Sequence, residues 1–345
     1  MATIRDVARL AGVGIGTVSR VLSDNGSVSQ KTLAKVNDAM AALNFTPNSS
    51  ARALSSKKYN TIGIWGTETS GELNRKTLIN IEHELEPFNI KIIVTDGNKK
   101  STKNNTPNSP QTTHRKSIEN IFRSGCDGLI IWGSDISDLE IIQIENEYPN
   151  IVLLNNKIDL LPNKCFTFDH YQAGYFAAKN LIDNGHTKIA CITGWLDTDD
   201  GNLRQQGFLD SLKDNNIDIP NTLIFEGNYT FRKGYEGALH LLNQKTPFTA
   251  IFCGNDQSAM AAISALTKKG FNVPNDISIM GYDDMNIASY TLPPLSTIQM
   301  PFQKMAISAT RRLLNLCYNL DLEVNYDFPI KLINRESVRN LKDEV

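Results

Sequence analysis

Two hydrophobic textures divide this chain of 345 residues. Through about residue 54 the apolar positions follow a helical period. Ile4, Val7 and Ala8 mark one stripe, Val18, Val21 and Leu22 a second, and Leu33, Val36, Met40 and Leu43 a third. Thr3 and Asp6 have the spacing of a capping box, and Gly12 is placed to turn the chain between the first two helices. Ser29 is placed to cap the third helix, and Pro47 stops it. Asn48–Leu54 is a further short helix-capable segment, followed by the polar linker Ser55–Lys58.

From Thr61 onward short apolar runs replace the stripes: TIGIWG, KIIVTD, GLIIWG, IVLLN, KIACITG, TLIFEG, TAIFCGND and DISIMGYDD. Amphipathic stretches such as Tyr171–Asn184, Arg204–Asn215, Phe231–Asn243 and Ser258–Lys269 lie between them. This alternation predicts parallel sheets covered by helices on both faces. The units are too many for one sheet, and Asp159–Lys164 is a polar break midway. The expectation is two doubly wound subdomains, with a ligand between them at the carboxyl ends of the strands. Residues 99–116 are polar and low in complexity, which predicts a flexible surface loop.

Composition narrows the class. The formal net charge is −2, yet residues 1–60 hold four arginines and four lysines against three aspartates, a net +5 that leaves −7 on the remainder. A basic head on an acidic body suits a head that meets phosphates. The five cysteines are scattered without a CxxC pair, as are the five histidines without HExxH, so neither disulfides, metal nor cofactor is expected. No apolar run reaches a membrane span, and Arg5, Asp6 and Arg9 interrupt any signal-peptide pattern, which points to a cytoplasmic protein with no membrane partner.

The stretch TIRDVARLAGVGIGTVSRVL combines a cap, a small Ala8, the turn Gly12, the inward Val18 and an outer face of Thr17, Ser19 and Arg20. That set describes a helix-turn-helix, whose second helix fits the DNA major groove. With DVARLAGV and TVSRVL go VSQKT at Val28–Thr32, LNFTPN and ARAL within Leu43–Leu54, NDQSAMAA at Asn255–Ala262, ISIMGYDD at Ile277–Asp284 and LPPLSTI at Leu292–Ile298. In these motifs the chain resembles the lactose/galactose repressor family of bacterial transcription regulators over nearly its whole length. Within that family LSDNGSVSQ, FDHYQ and GYDDMNIASYTLPPLSTI look more like the β-glucoside and galactoside operon repressors than the purine repressors.

The resemblance implies an all-α helix-turn-helix head on an α/β core of two doubly wound parallel-sheet subdomains of periplasmic-binding-protein type. The head would span 1–47 and the hinge helix with its linker 48–60. One core subdomain would take 61–161 plus 293–321, the other 162–292 plus 322–345, with crossings near Leu161–Asn163, Thr291–Leu295 and Asp321–Asn325. It implies a homodimer on double-stranded operator DNA and a sugar or glycoside effector. The terminal ESVRNLKDEV has no leucine heptad, so no tetramer is indicated.

By position in those motifs, Ile15, Gly16 and Arg20 would read base edges, Arg20 by a bidentate pair with guanine. Thr17, Ser19, Ser29 and Thr32 would set register on phosphates. Asn48 and Arg52 would hold phosphates in the hinge, while Ala53 and Leu54 form a minor-groove wedge. Gly14 departs from the family's usual serine. For the effector, the resemblance implies Arg204, Asn255 and Asp283 as polar grips, Asp169 as a variable pocket position, and Tyr229 and Phe302 as aromatics. Trp65 and Trp195 end strands and are further lining candidates, and Asp256 and Asp284 are expected to cap helices. After Ile64 the run WGTETSGELN lacks the family's Asn-Pro-aromatic turn.

Three functional classes follow. The first is a repressor released by its effector, with a corepressor of opposite sign as its alternative. The second is a transport-type sugar-binding protein, which the basic head opposes. The third is an enzyme, for which no GxGxxG, P-loop, GxSxG or metal spacing speaks.

Overall fold

A computed structural model describes residues 2–23, 28–45, 58–66, 72–96, 110–133 and 136–342. Helices α1 (Ile4–Ala11), α2 (Ile15–Ser23) and α3 (Gln30–Ala42) build the head. The Thr3 hydroxyl accepts from the Asp6 amide at 3.4 Å, and the Asp6 carboxylate accepts from the Thr3 amide at 2.9 Å. Hydrogen bonds from Thr3 hold the Asp6 carboxyl below its usual range. Gly12 adopts φ +68°, the left-handed turn that α2 needs to fold back on α1. Val7, Ala8, Ala11, Val18, Val36 and Ala39 form the small core. Each of the buried valines contributes about 1.5–3 kcal/mol. Leu33 departs from the expected stripe and is exposed, while Ala39 takes the inward place.

The core has two parallel sheets. In the first, β1 (Thr61–Gly66), β2 (Lys91–Asp96), β3 (Gly128–Trp132), β4 (Ile151–Leu154) and β5 (Cys165–Phe166) lie in the order β2-β1-β3-β4-β5. Helices α4 (Glu72–Leu85), α5 (Pro110–Arg123) and α6 (Asp138–Glu147) belong to this lobe. In the second lobe, α7 (His170–Asp183) leads into β6 (Ile189–Ile192), and α8 (Asp199–Asp214) into β7 (Ile224–Phe225). α9 (Phe231–Leu242), β8 (Ala250–Cys253), α10 (Asp256–Lys268) and β9 (Ser278–Met280) complete the order β7-β6-β8-β9. The central strands β1, β3, β4, β6 and β8 are buried along their whole length, as continuous apolar runs in doubly covered sheets should be.

Three stretches place the lobe boundaries later than expected. β5 still pairs with β4, Leu153 against Cys165 and Leu154 against Phe166, so the first crossing follows Phe166 and not residue 161. The polar 159–164 stretch is a surface excursion, drawn in by Lys164 bonding to Glu145 and the Pro149 carbonyl. β10 (Thr297–Gln299) sits beside β9 through bridges Met280 to Ser296 and Asp283 to Gln299. Residues 293–299 therefore belong with the second lobe, and the chain returns to the first only at α11 (Phe302–Tyr318). After α11 it stays on the first lobe past residues 321–325: Asn325 bonds to Ser308 and Phe328 packs on Phe166. It then crosses again to β11 (Lys331–Ile333), antiparallel to β10. The expected 99–116 loop is also shorter, because α5 begins at Pro110; residues 99–109 lie outside the described residues.

One apolar cluster is continuous across the lobes, from Ile62 and Ile130 through Phe166, Phe168 and Phe302 to Ala173, Phe208 and Phe252. α7 and α8 approach closely because glycine stands at both contacts. A Cβ on Gly174 would lie 2.9 Å from the Arg204 carbonyl carbon, and one on Gly207 2.8 Å from that of Tyr171. Among the described residues no helix is long and apolar enough to cross a membrane.

Candidate functional site

The outer face of the head matches a surface for polar and groove contacts. Ile15, Gly16, Ser19 and Arg20 are exposed, while Thr17 is half-buried. A side chain at Gly16 would meet nothing within 4 Å, so the surface there is open backbone. The Arg20 Nε donates to the Gly16 carbonyl at 3.2 Å, which lays the guanidinium along its own helix. α2 starts without a hydroxyl cap: the Gly14 carbonyl accepts from Thr17 and Val18 at 2.9 and 3.2 Å. At the start of α3 the Ser29 hydroxyl accepts from the Thr32 amide at 3.3 Å, and the two hydroxyls pair at 2.9 Å. Helix N-termini with such amides attract anions. The hinge candidates Asn48, Arg52, Ala53 and Leu54 lie outside the described residues.

The second constellation stands at the carboxyl ends of the neighbouring strands β6 and β8, where the strand order reverses, the switch point at which open α/β sheets bind ligands. The α7–α8 contact delivers Arg204 there. Its side chain is 7% exposed, and its Nη1 donates to the Gly254 carbonyl at the end of β8. Its Nη2 lies 3.5 Å from Asp200, one turn earlier on α8. The guanidinium carbon stacks 3.6 Å from the Tyr282 ring centre and 5.2 Å from that of Tyr229. Burial alone would lower the Arg204 pKa, but the surrounding phenols and carboxyls hold it above its usual value.

Tyr229 and Asp283 surround this cation in strained backbone, at φ +64° and +116°, with Asp284 at +55°. The Asn255 amide donates to the Tyr229 carbonyl at 2.9 Å, while its oxygen caps α10 through the Ser258 amide at 2.9 Å. Asn255 thus locks the loop that carries Tyr229. Burial pushes the Asp283 carboxyl well above the usual range, against the pull of Arg204. Asp200 is held low despite burial, chiefly by Arg204, so it is the charged partner of the pair. Among the described residues the buried Arg204 Nε has no hydrogen-bond partner, and the Tyr229 hydroxyl has none closer than a weak approach to Thr198.

Asn155 of the first lobe reaches this cluster through His170, the first residue of α7. Its Nε2 pairs with the Asn155 Oδ1 at 2.9 Å, just beyond β4, and its Nδ1 with the Tyr282 hydroxyl at 3.4 Å. Burial, then the Arg204 charge, drives the His170 pKa down to about 3, so the imidazole is neutral. Phe302 opens α11 with its ring edge-on to Phe168 at 5.7 Å. At the rim Glu72 accepts from the Asn286 amide at 2.8 Å, and Lys76 donates to the Asn286 side chain at 2.7 Å. These contacts tie α4 of one lobe to the loop after β9 of the other.

Arg204, Tyr229, Asn255 and Asp283 therefore converge, with Phe302 where the lobes meet. Asp169 does not converge: it is exposed and caps α7 through the Gln172 amide at 2.8 Å. Asp256 and Asp284 are not caps. Asp256 accepts from the Tyr282 and Met285 amides and from Thr297 at 2.9, 2.8 and 2.7 Å, which clamps the strained turn from beneath. Asp284 is held by Arg335 at 2.6 Å and Gln299 at 2.8 Å. Trp65 is buried against α5, its Nε1 donating to Ser117 at 3.0 Å, whereas Trp195 is exposed. Tyr282, His170, Asn155 and Asp200 were not marked from sequence. Only Asp200 carried a local signal, its i to i+4 spacing from Arg204.

Comparison with known proteins places both parts. Residues 3–48 match the model for bacterial regulatory proteins of the lacI family, and residues 178–338 that for a periplasmic binding protein-like domain. The chain is 30% identical over 339 residues to the HTH-type transcriptional regulator GalR of Escherichia coli (strain K12), covering 98% of this chain and 96% of that protein. It is 32% identical over 341 residues to the regulator AscG of the same organism, covering 98% of each. Among solved structures it superposes on the lac repressor dimer bound to operator and the anti-inducer ONPF with a TM-score of 0.84 and 29% identity, over 98% of this chain and 99% of that one.

Proposed function

The chain belongs to the lacI family of bacterial regulatory proteins, and from that membership we infer a homodimeric, operator-binding transcriptional repressor governed by a small hydroxylated effector, a sugar or glycoside, between the lobes of its core. The observation that carries the effector site is the Arg204 cluster. A buried guanidinium whose Nε has no partner among the described residues, beside the buried Tyr229 hydroxyl, is polar capacity that a ligand's hydroxyls satisfy. The half-buried Tyr229 ring supplies the apolar side that a sugar ring packs on, while the fully buried Tyr282 backs the guanidinium. Arg204 is balanced by Asp200, which suits a ligand without charge.

In the head, Ile15 and Arg20 read bases, with Gly16 leaving the groove open between them. Thr17, Ser19, Ser29 and Thr32 set register on phosphates. Asn48, Arg52, Ala53 and Leu54 form the hinge contact, with Leu54 as wedge. The dimer forms through the outer face of the second lobe, where Tyr290 and Leu292 are 81% and 90% exposed beside a groove of about 390 Å³ lined by Met260, Ile263 and Thr291. The protein acts in the cytoplasm and by binding, without turnover.

The effector works by preferring one lobe orientation. Its contacts to Arg204, Tyr229 and Asp283 are made on the second lobe, and the lobes communicate through Asn155–His170–Tyr282 and the Glu72/Lys76–Asn286 rim. Each tenfold preference for the released form shifts the equilibrium by about 1.4 kcal/mol. Release by the effector is the reading adopted; a corepressor would show the opposite sign. Calorimetric titration with galactose, cellobiose and aryl β-glucosides, paired with titration of a duplex that the protein itself enriches from a random library, tests this. Binding of one sugar that weakens the enriched duplex supports it. An enriched duplex that the bound sugar strengthens reverses the sign, and failure to enrich any duplex overturns the reading.

A further inference from the structure

We propose that Asp127 is a positioning residue at the junction of head and core, whose single carboxylate fixes where the segment from the head enters the core and so links operator affinity to it. The proposal rests on the operator-binding reading above. Lys58–Asn60 are the first described residues after the hinge. They approach the amino-terminal edge of the first sheet, the end opposite the effector cleft, where β1 and β3 begin side by side. Asp127 is the residue before β3. Its carboxylate accepts from the Tyr59 amide at 2.8 and 3.1 Å, from the Thr61 amide at 3.4 Å and from the Tyr318 hydroxyl at 2.7 Å. Its own amide donates to the Thr61 carbonyl at 2.8 Å.

Two neighbours reinforce the anchor. The Tyr59 ring lies on Gly125, where a Cβ would stand 2.7 Å from a ring carbon, and Lys58 sits 5.0 Å over the Tyr318 ring. Tyr318 is the last residue of α11, whose first residue, Phe302, faces Phe168 where the lobes meet. At about 1.5 Å per residue that helix is a rigid rod of roughly 25 Å between the lobe junction and the anchor. The Tyr59 amide precedes the sheet's own ladder, which begins at Thr61, so the carboxylate gives the entry segment a charge-assisted bond that the ladder does not supply. A loosened entry must be ordered again when the two heads bind a bipartite operator, which lowers specific affinity. Non-specific binding, which needs only the basic heads, is untouched.

The test uses the full-length dimer and the duplex that wild-type protein enriches from a random library. Asp127→Asn removes the charge and leaves one acceptor oxygen for the Tyr59 and Thr61 amides, which can only donate, and the Tyr318 hydroxyl. Tyr318→Phe removes one donor and nothing else. Asp127→Asn should lose about tenfold or more in affinity for the enriched duplex. Its affinity for an unrelated duplex should stay as in wild type, while trypsin cleaves faster at Lys57 and Lys58. Tyr318→Phe should move the same way by less, and it decides alone if Asp127→Asn fails to fold. Wild-type affinity and cleavage rate in the folded variants would overturn the proposal, as would an equal loss on the unrelated duplex. If wild-type protein enriches no duplex, the operator-binding reading fails first and the anchor falls with it.

Discussion

Gly174→Ala separates the geometry of the cleft from its chemistry, because it changes no group that a ligand touches. The added Cβ would stand 2.9 Å from the Arg204 carbonyl carbon and 3.1 Å from its Cα, with the carbonyl oxygen closer still. Ordinary carbon contacts need about 3.5–4.0 Å, so α7 and α8 must part by about 1 Å. The opposing atoms are backbone and no rotamer change relieves them. Overpacking of this kind costs about 1–3 kcal/mol, and backbone on both sides puts this site at the upper end. Unfolding should then come about 5–10 °C lower, taking about 2–4 °C per kcal/mol for a domain of this size. The same shift draws Arg204 away from the Gly254 carbonyl and the Tyr282 face. Charge-assisted hydrogen bonds contribute about 1.5–3 kcal/mol, so effector affinity should fall tenfold to a hundredfold. Differential scanning calorimetry and isothermal titration with the sugar found by screening measure the two effects. Gly16→Ala is the control, since its Cβ meets nothing within 4 Å. A Gly174→Ala protein with wild-type melting and wild-type sugar affinity would refute the argument that this close approach aims Arg204.

Arg204→Met takes the charged partner from Asp200 and the donor from the Gly254 carbonyl; breaking such a buried pair should destabilise the core by about 3 kcal/mol, read from chemical denaturation, and abolish sugar binding. The neutral, buried His170 predicts a pH effect. Unfolded protein protonates this histidine near its ordinary value of 6.5, whereas folded protein resists down to about 3. The unfolded state thus binds more protons in that window, and the His170 contribution is lost as pH falls, by about 1.4 kcal/mol per unit. His170→Gln should remove that slope, so a stability difference between wild type and variant that does not change with pH refutes it. Leu54→Ala should retain effector binding and lose operator bending, measured by circular permutation of the duplex; an unchanged bend removes the wedge.

Local signals and contacts at a distance divided this protein between them. The head was legible because its determinants lie within four residues of one another. Thr3 and Asp6 close a capping box, Gly12 takes the left-handed turn, and helical period puts Val7, Val18 and Val36 each on the inward stripe of its own helix. The strands were equally plain, since TIGIWG, GLIIWG and TAIFCG are apolar on both faces. Leu33 failed because an apolar residue at the right period is still free to face solvent on a three-helix unit with so small a core.

What period and motif determined, then, was the three helices of the head, the principal strands and their parallel class, and the basic charge of the head. Tertiary structure decided the rest. It moved the lobe boundaries, because whether Cys165–Phe166 pairs with β4 and Thr297–Gln299 lies beside β9 depends on which edge is free to receive it. It sent Asp169 to a helix cap and brought in Tyr282, His170 and Asn155 from distant segments. Nearest-neighbour chemistry sets a turn or a cap within one strip of chain. A buried cation's partners are set by which strips the packing of Gly174 against Arg204 brings together, and that is a property of the folded whole.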